Sequence, residues 1–376
     1  MVQIFGPRNL CEQVDDLRRW QGRLLEWVGL GPIQTPSRVM FSERGVRLHT
    51  YEDSNRLGPV LVIVSAPIKR AYIWDLAPWA SVVLRCIRSG FRVFLIEWAE
   101  PGVEEQHFGL IDYADRLIRD CLDAVALETG KPRACLAGHS IGGTLAAIFA
   151  ALRPERVQAL VLLEAPLHFG ADAGVFAPLV ATAPRMGSLA TTLGNVPGSF
   201  LDFISVTADP MTFQWSRWVD ALESLRDMRA LQTHLRVERW TLDEFPFPSR
   251  LFEEIVEFLY REDRFMAGSL RVGTRSATPC GLVMPIVSVV NPRSSIVPPS
   301  SVLPFLARVS SGDKKLLWYE GDKGIALQHV GALVGQIAHR RLWPEILAWL
   351  HRIAPTQSSP AITVNARRTT RGHHRS

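Results

Sequence analysis

Residues 133–145 read RACLAGHSIGGTL, and this stretch decides the fold. A short apolar run at 134–137 precedes a G-x-S-x-G motif, and a run of small residues at 144–152 follows it. The pattern predicts a strand that ends at the motif and a helix that begins directly after it. Glycines flank Ser140 because the backbone turns tightly there and larger side chains would collide. The alternative is a glycine-rich turn without a catalytic role, and the strand-to-helix context favours a nucleophile elbow with Ser140 as the nucleophile.

A nucleophile elbow also provides part of an oxyanion hole. Gly138 and Gly142 are the flanking glycines of the motif, and Ile141 follows the serine. The Ile141 N–H would lie at the positive end of the predicted helix, where it can stabilise a developing negative charge on oxygen. A second N–H is expected from the loop after the apolar run at 60–64, with Ile68 as the candidate donor.

The alternation of apolar patterns predicts an α/β architecture. The chain has 376 residues, of which 47% are hydrophobic, enough for one large domain with an insertion. A hairpin is predicted at 39–50. Six apolar runs indicate buried strands, at residues 60–64, 91–96, 134–137, 157–163, 283–290 and 315–319. Helical patterns lie before, between and after them, at residues 9–29, 79–89, 113–129, 144–152 and 343–352. The alternation implies a mostly parallel sheet with helices on both faces.

The regular alternation is interrupted between residues 166 and 273. This segment is rich in Trp, Phe, Met and Pro, and it contains helical patterns at 215–231 and 249–260. An insertion at this point would lie over the active edge of the sheet as a helical cap. We therefore predict five parts, which are an N-terminal helical segment at 1–37, a first core part at 38–165, the cap at 166–273, a second core part at 274–354 and a disordered basic tail at 355–376.

Composition argues against several classes of protein and site. No apolar run approaches the ~20 residues of a membrane-spanning helix, and the N-terminus does not resemble a secretory signal. Five cysteines without a C-x-x-C pair fit reduced thiols in a cytoplasmic protein and argue against disulfides or a zinc site. Of the net charge of +5, four positive charges belong to arginines after residue 355, so we expect no basic face for nucleic acid. We predict neither a metal nor a cofactor.

Seven further segments, in order along the chain, match the pattern of one family. They read APIKRAYIWDLAP at 66–78, VFLIEWAEP at 93–101, IDY at 111–113, the elbow followed by RPERV at 153–157, ERWTLD at 238–243, IVPP at 296–299 and HVG at 329–331. Together they resemble the polyhydroxyalkanoate (PHA) synthases, an α/β-hydrolase-fold family that polymerises hydroxyacyl groups from coenzyme A thioesters. The resemblance implies that fold and a coenzyme A thioester as substrate. The short N-terminal part is similar to that of the smaller synthases, which act with a partner subunit.

Three features depart from the pattern of that family. The resemblance implies a cysteine nucleophile in a G-x-C-x-G box, where this chain has Ser140. A thiol is partly ionised near neutral pH and suits thioester exchange, whereas a serine depends more strongly on its base. The resemblance also implies a carboxylate shortly before the V-P-P match, where this chain has Ser294. The loop between Tyr319 and His329 is longer than in the family.

The base and the acid of the predicted site are identified by their positions relative to the predicted strands. His329 is the predicted base because it comes after the last strand and begins the His-Val-Gly match. Glu164 is the candidate acid because it ends the strand after the elbow, where some relatives of this fold carry their acid. A loop cap or an ion pair with an arginine are its alternative roles. Asp322 and Glu320 are weaker candidates for the acid. Without any of them, Ser294 or a backbone carbonyl would orient the histidine.

The remaining candidates surround the predicted site. His139 is expected to pack beside the elbow. Arg70 and Asp75 are expected to brace the loop that carries Ile68. Three aromatic residues of the cap either line an acyl channel or belong to ordinary core packing. These are Phe213, Trp215 and Trp218.

The predicted chemistry is acyl transfer through a Ser140 acyl-enzyme, on hydroxyacyl-coenzyme A thioesters or polyesters. One alternative is an esterase, thioesterase or PHA depolymerase that passes the acyl group to water, because fold and family do not decide the acceptor. Another is a catalytically weak relative that binds an acyl ligand, a PHA granule or a synthase subunit, which Ser294 supports. Beyond the acyl substrate, a second copy or a synthase subunit is the expected partner, in the cytoplasm or on granules.

Overall fold

The centre of the molecule is a sheet of eight strands. The computed structural model describes residues 7–185 and 194–355. The strands are β1 (Ser37–Glu43), β2 (Val46–Tyr51), β3 (Val60–Val64), β4 (Arg92–Trp98), β5 (Ala134–His139), β6 (Val157–Leu163), β7 (Ile286–Val290) and β8 (Lys314–Trp318). Their spatial order is β1-β2-β4-β3-β5-β6-β7-β8. The β1–β2 and β2–β4 pairs are antiparallel, and the other neighbouring pairs are parallel.

Helices flank this sheet and build the cap. Within the described residues they are α1 (Pro7–Trp27), α2 (Val82–Arg88), α3 (Leu117–Thr129), α4 (Ile141–Leu152), α5 (Phe176–Thr182), α6 (Gly198–Ala208), α7 (Ser216–Ser224), α8 (Met228–Thr241), α9 (Ser249–Glu254), α10 (Arg264–Ala267), α11 (Leu303–Arg308), α12 (Gly331–Val334) and α13 (Trp343–Ile353). Four π-helical stretches adjoin them, at Asp112–Arg116, Met211–Trp215, Ile255–Arg261 and Ala338–Leu342.

Both faces of the sheet are buried, because alternate residues of a strand point to opposite sides. In β3, Val60, Val62 and Val64 join one core with α3 and α4. Leu61 and Ile63 join a second core with α2 and α13 on the other face. The predicted architecture, a mostly parallel sheet flanked by helices with a helical cap insertion, is therefore confirmed.

The cap lies between β6 and β7 and contains α5 to α10. Helix α1 packs against two cap helices, α6 and α8. Arg18 of α1 lies 2.6 Å from the carboxylate of Glu244, a buried residue directly after α8. Lys69, in the loop after β3, lies 3.0 Å from the same carboxylate. This buried cluster of charges joins the N-terminal helix, the cap and the loop that borders the candidate site.

One detail of the sequence prediction is wrong. The helix predicted at 215–231 is two helices, because α7 ends at Ser224 and the side chain of Asp227 caps the start of α8. The cap segment is mostly helical, as predicted, and a short hairpin of Leu270–Val272 with Arg275–Ala277 lies across the boundary predicted at 273. The division into five parts stays a prediction, and the tail from residue 356 onward lies outside the described residues.

The described residues also bear on membrane spans, metal sites and disulfides. No helix among them has the length and apolar character needed to cross a membrane. They contain no group of three or more potential metal-binding side chains. All five cysteines are free thiols, and Cys86, Cys121 and Cys135 are buried.

Candidate active site

Ser140 lies on a sharp turn between β5 and α4. Its backbone has φ +53° and ψ −135°, a conformation that residues other than glycine rarely adopt. The Ser140 N–H donates to the Leu163 carbonyl at 3.0 Å, and the Ser140 carbonyl accepts from the N–H groups of Gly143 and Thr144. A strained serine between a parallel strand and a helix is the geometry of a nucleophile elbow.

Three glycines make room for this turn. A Cβ on Gly138 would lie 2.6 Å from the Cα of Gly143, and a Cβ on Gly142 would lie 2.5 Å from the Val64 carbonyl oxygen. A Cβ on Gly143 would lie 2.6 Å from the Cβ of Ala165. Such distances are much shorter than van der Waals contacts between carbon atoms. The glycines therefore allow the elbow to pack directly on the end of β3 and on the segment after β6.

The candidate oxyanion donors lie beside the elbow. Ile141 is the first residue of α4, so its N–H has no carbonyl partner within the helix. The helix N-terminus adds a partial positive charge at this point. Ile68 belongs to the loop after β3, and it lines the same cavity as Ser140, Ile141 and His329. The assignment of these two N–H groups to an oxyanion hole remains a prediction.

His329 and Glu164 form a close pair. The distance from His329 Nδ1 to Glu164 Oε2 is 3.6 Å, longer than a hydrogen bond. Glu164 directly follows β6, has a positive φ of +41° and is fully buried. Within the described residues, neither carboxylate oxygen of Glu164 and neither ring nitrogen of His329 has a hydrogen-bond partner. A small movement of either side chain would therefore let them bond to each other.

Burial determines the protonation of this pair. It raises the pKa of Glu164 to about 8, and the nearby His139 ring and Ser294 hydroxyl oppose this rise only in part. Burial lowers the pKa of His329 to about 4. Both groups are consequently neutral near pH 7 in the free protein. A negative charge on Glu164 becomes favourable when His329 gains a proton, because opposite charges at this distance stabilise each other.

The position of Ser294 shows how the catalytic acid could come from the end of a neighbouring strand. It occupies the position after β7 where the resemblance implies a carboxylate, and its hydroxyl oxygen accepts the Val297 N–H at 3.1 Å. It is also close enough to Glu164 to affect the pKa of that carboxyl group. Because β6 and β7 are neighbours in the sheet, the two strand ends converge on one region. A carboxylate at the end of β6 can therefore reach the place that a carboxylate after β7 would occupy.

His139 supports the position of His329, a role that the sequence did not reveal. Its Nε2–H donates to the His329 carbonyl at 2.7 Å, and the two rings lie 4.6 Å apart. Burial, followed by the neighbouring His329, lowers the pKa of His139 to about 3, so the ring remains a neutral donor. The two residues are 190 positions apart in the chain, and no local pattern links them.

The two weaker acid candidates have other partners. Asp322 accepts hydrogen bonds from the Tyr319 hydroxyl at 2.7 Å and from the Ile337 N–H at 2.8 Å. Glu320 is exposed and pairs with Arg293 at 3.1 Å. Asp322 therefore holds the turn after the His329 loop in place, and Glu320 belongs to the surface.

The predicted supporting residues brace the loop after β3. Asp75 is buried and accepts hydrogen bonds from the Thr35 N–H at 2.7 Å and from the Ser81 hydroxyl. Arg70 lies 2.8 Å from a carboxylate oxygen of Glu100. These contacts fix the loop that carries Ile68.

A cavity of about 400 Å³ connects Ser140 and His329 with the underside of the cap. Phe213 lines this cavity, as the acyl-channel interpretation requires. Trp215 and Trp218 do not line the cavity. They lie at the surface, where they are 62% and 73% exposed. For these two residues both interpretations, channel and core, are wrong.

Known proteins resemble this chain over most of its length. A model of the alpha/beta hydrolase fold matches residues 59–186. The chain is 31% identical over 322 residues to the poly(3-hydroxyalkanoate) polymerase subunit PhaC of Haloferax mediterranei, covering 84% of the chain and 64% of that relative. It is 25% identical over 361 residues to the subunit of the same name from Synechocystis sp., covering 93% of the chain and 94% of that relative.

Over most of its length the chain is therefore similar to polymerase subunits of the PHA synthases, and its fold is that of the α/β hydrolases. It spans 64% of the length of the Haloferax relative and nearly all of the Synechocystis relative. The fold is also that of the monoacylglycerol lipase of Paleococcus ferrophilus, with a TM-score of 0.51 at 14% identity, covering 82% of this chain and 99% of that one. Ser140 and Ser294 stand where the resemblance implies a cysteine and a carboxylate.

The close packing of the elbow makes a prediction about stability. Gly142→Ala should lower the free energy of unfolding by about 1–3 kcal/mol, because the added Cβ overpacks the end of β3. Gly312→Ala is the matched control, since its Cβ would meet no atom within 4 Å. Urea unfolding of both variants measures the difference. Equal stability of the two variants would contradict the close approach of elbow and strand.

Proposed function

We propose that this chain is a PHA-synthase-like enzyme that transfers hydroxyacyl groups from coenzyme A thioesters through a Ser140 acyl-enzyme. The observation that carries the proposal is the 3.6 Å contact between His329 and the buried carboxyl group of Glu164, with His329 lining the same cavity as Ser140. A nucleophilic serine needs a histidine base, and the histidine needs a carboxylate that stabilises its imidazolium form. The names of the relatives, polymerase subunits that form poly(3-hydroxyalkanoate), support the substrate class.

In the first half-reaction, the Ser140 hydroxyl oxygen attacks the thioester carbonyl carbon while His329 Nε2 accepts the hydroxyl proton. The Ile141 N–H stabilises the negative charge on the carbonyl oxygen, and Ile68 is the candidate for the second donor. The carbon–sulfur bond then breaks, and His329 returns the proton to the departing thiolate. The product is an oxygen ester on Ser140 together with free coenzyme A.

In the second half-reaction, the hydroxyl group of another hydroxyacyl unit attacks the ester carbon and gives its proton to His329. The Ser140 oxygen leaves and takes that proton back, so one ester bond replaces another. This exchange lengthens a polyester by one unit. Attack by water instead would release the free hydroxy acid, and an oxygen ester is a less reactive acyl donor than a thioester.

Glu164 argues for an enzyme rather than a protein that only binds. A fully buried carboxyl group without a hydrogen-bond partner among the described residues costs stability. Such a cost is typical of active sites, where a group is held ready for a charge that appears only during the reaction. A structural role would be expected to satisfy both carboxylate oxygens.

Serine hydrolysis is the second candidate function. Ser140 in place of the cysteine that the family resemblance implies favours it, because serine is the common nucleophile of ester hydrolysis in triads of this kind. The same geometry serves both functions, and the accepting molecule alone distinguishes them.

The cap supports a proposal about assembly. Five apolar side chains lie on one face of the cap, along the π-helical stretch Met211–Trp215, the helix α7 that follows it and the residue after α7. They are spaced alternately four and three residues apart, and all are 61–73% exposed. They are Met211, Trp215, Trp218, Leu222 and Leu225. Such spacing is typical of helices that pack against a second helix. We propose that this apolar stripe joins two copies of the chain, and a synthase subunit is the alternative partner.

The location is proposed from the substrate and the thiols. Coenzyme A thioesters are cytoplasmic metabolites, and the five cysteines are free, as expected in a reducing compartment. An enzyme that lengthens an insoluble polyester would also lie at the surface of its granules.

The proposed function predicts the fate of both halves of the substrate. Purified protein incubated with 3-hydroxybutyryl- and 3-hydroxydecanoyl-coenzyme A should release free thiol and form polyester, while Ser140→Ala should release no thiol above background. Thiol release with free hydroxy acid would identify the hydrolase instead. Absence of thiol release from every thioester, with and without a synthase partner subunit, would reject the proposed function.

The apolar stripe predicts an assembly larger than one chain of 42.0 kDa. Trp218→Glu should shift the mass measured by light scattering toward a single chain, because a charge would be buried between apolar helices. Leu127→Glu is the matched control, since Leu127 lies on α3 and is 89% exposed. A wild-type mass of one chain at all concentrations would reject the second copy, and a larger mass only with an added synthase subunit would favour that partner.

A further inference from the structure

The cavity beside Ser140 extends under the cap, where its wall is apolar. Most cap side chains in this wall are aliphatic or aromatic, and they include Leu179, Phe200, Ile204, Phe213, Phe252 and Val256. Such a wall offers mainly dispersion contacts to a ligand. This wall therefore favours a hydrocarbon as the part of the substrate that lies there.

Charged side chains also reach this wall, but each has an oppositely charged partner within the protein. The pairs are Lys69 with Glu244, Arg70 with Glu100, Asp202 with Arg18, and Arg217 with Glu238. These four side chains consequently present no unpaired charge to a carboxylate or a phosphate. They therefore do not recognise a polar group at the distal end of an acyl chain.

The volume of the cavity sets the length of the hydrocarbon. A methylene group is similar in size to a water molecule, which takes about 30 Å³ in the liquid. The whole cavity of about 400 Å³, which includes the space beside Ser140, therefore has room for roughly a dozen such groups, counting the acyl carbons next to the serine. A hydroxybutyryl group, with a single methyl group beyond its hydroxyl carbon, would leave most of this apolar space without contacts.

We propose that the site selects 3-hydroxyacyl groups of medium chain length, about eight to twelve carbons, with the alkyl chain under the cap. This inference rests on the proposed acyl transfer and adds the identity of the acyl group. Each methylene buried in an apolar site can raise kcat/KM by about fourfold. Over the difference between butyryl and decanoyl chains, we expect a preference of at least about 100-fold.

Helix α6 provides a variant and its control. Ile204 lines the cavity, whereas the adjacent Phe203 is 65% exposed and does not. Ile204→Trp should fill part of the space under the cap and lower the ratio of decanoyl to butyryl kcat/KM by at least about tenfold. Phe203→Trp, on the same helix turn, should leave the ratio unchanged. If Ile204→Trp does not fold, Ile204→Ala enlarges the cavity instead and should move the optimum toward longer chains.

The test is a series of 3-hydroxyacyl-coenzyme A thioesters from butyryl to tetradecanoyl, with kcat/KM measured for the wild type and for the α6 variants. A maximum at medium length that shifts in the Ile204 variants and not in Phe203→Trp supports the inference. Turnover of butyryl as fast as decanoyl, or a ratio unaffected by Ile204→Trp, overturns the inference and leaves the proposed function intact. No turnover of any thioester rejects the proposed function and the inference together.

Discussion

The close approach of the elbow to the ends of β3 and β6 is the constraint on which the site depends. The Ser140 N–H bonds to the Leu163 carbonyl, directly before Glu164, and Gly143 packs against Ala165, directly after it. The same contacts that form the strained turn therefore fix the candidate acid beside the nucleophile. A side chain at position 143 would separate the two strand ends and move the carboxyl group away. The nucleophile, one oxyanion donor and the acid thus depend on one piece of packing.

Burial gives this arrangement both its chemistry and its cost. Glu164 and His329 are held in a dry region where each is more stable as a neutral group. Because the folded protein binds the Glu164 proton more tightly than the unfolded chain, this group loses its contribution to stability as pH rises from 4.5 through about 8. The histidine behaves in the opposite sense and loses its contribution as pH falls from 6.5 through about 4. Once Glu164 has lost its proton to solvent, the imidazolium that forms during acyl transfer lies beside a carboxylate, and each charge reduces the cost of burying the other.

The sequence predicts the local parts of this site well. The elbow is a short motif whose glycines have a steric reason. The strand end before Glu164 and the last strand, whose following loop carries His329, follow from the alternation of apolar runs. The sequence does not predict contacts between distant segments, such as the hydrogen bond from His139 to the His329 carbonyl. The apolar spacing of the cap identifies one face of a helix but does not show what that face packs against. The sequence therefore predicts a channel or core position for Trp215, which lies at the surface. The break before α8 has a sequence signal, the capping Asp227, that the helical periodicity obscured.

The central claim is that Glu164 acts as the acid of a Ser140–His329 pair, and the pH dependence of kcat/KM in Glu164→Gln tests it most directly. Since the carboxylate is the active form and its pKa is raised to about 8, wild-type kcat/KM should rise with pH and level off near that value. Glu164→Gln should lower kcat by about 10⁴-fold, as loss of a triad acid does, and remove this rise while the fold remains intact. Glu320→Gln, in the exposed part of the His329 loop, should behave like the wild type. Near-normal rates in Glu164→Gln, with the same pH profile, would contradict the relocated acid.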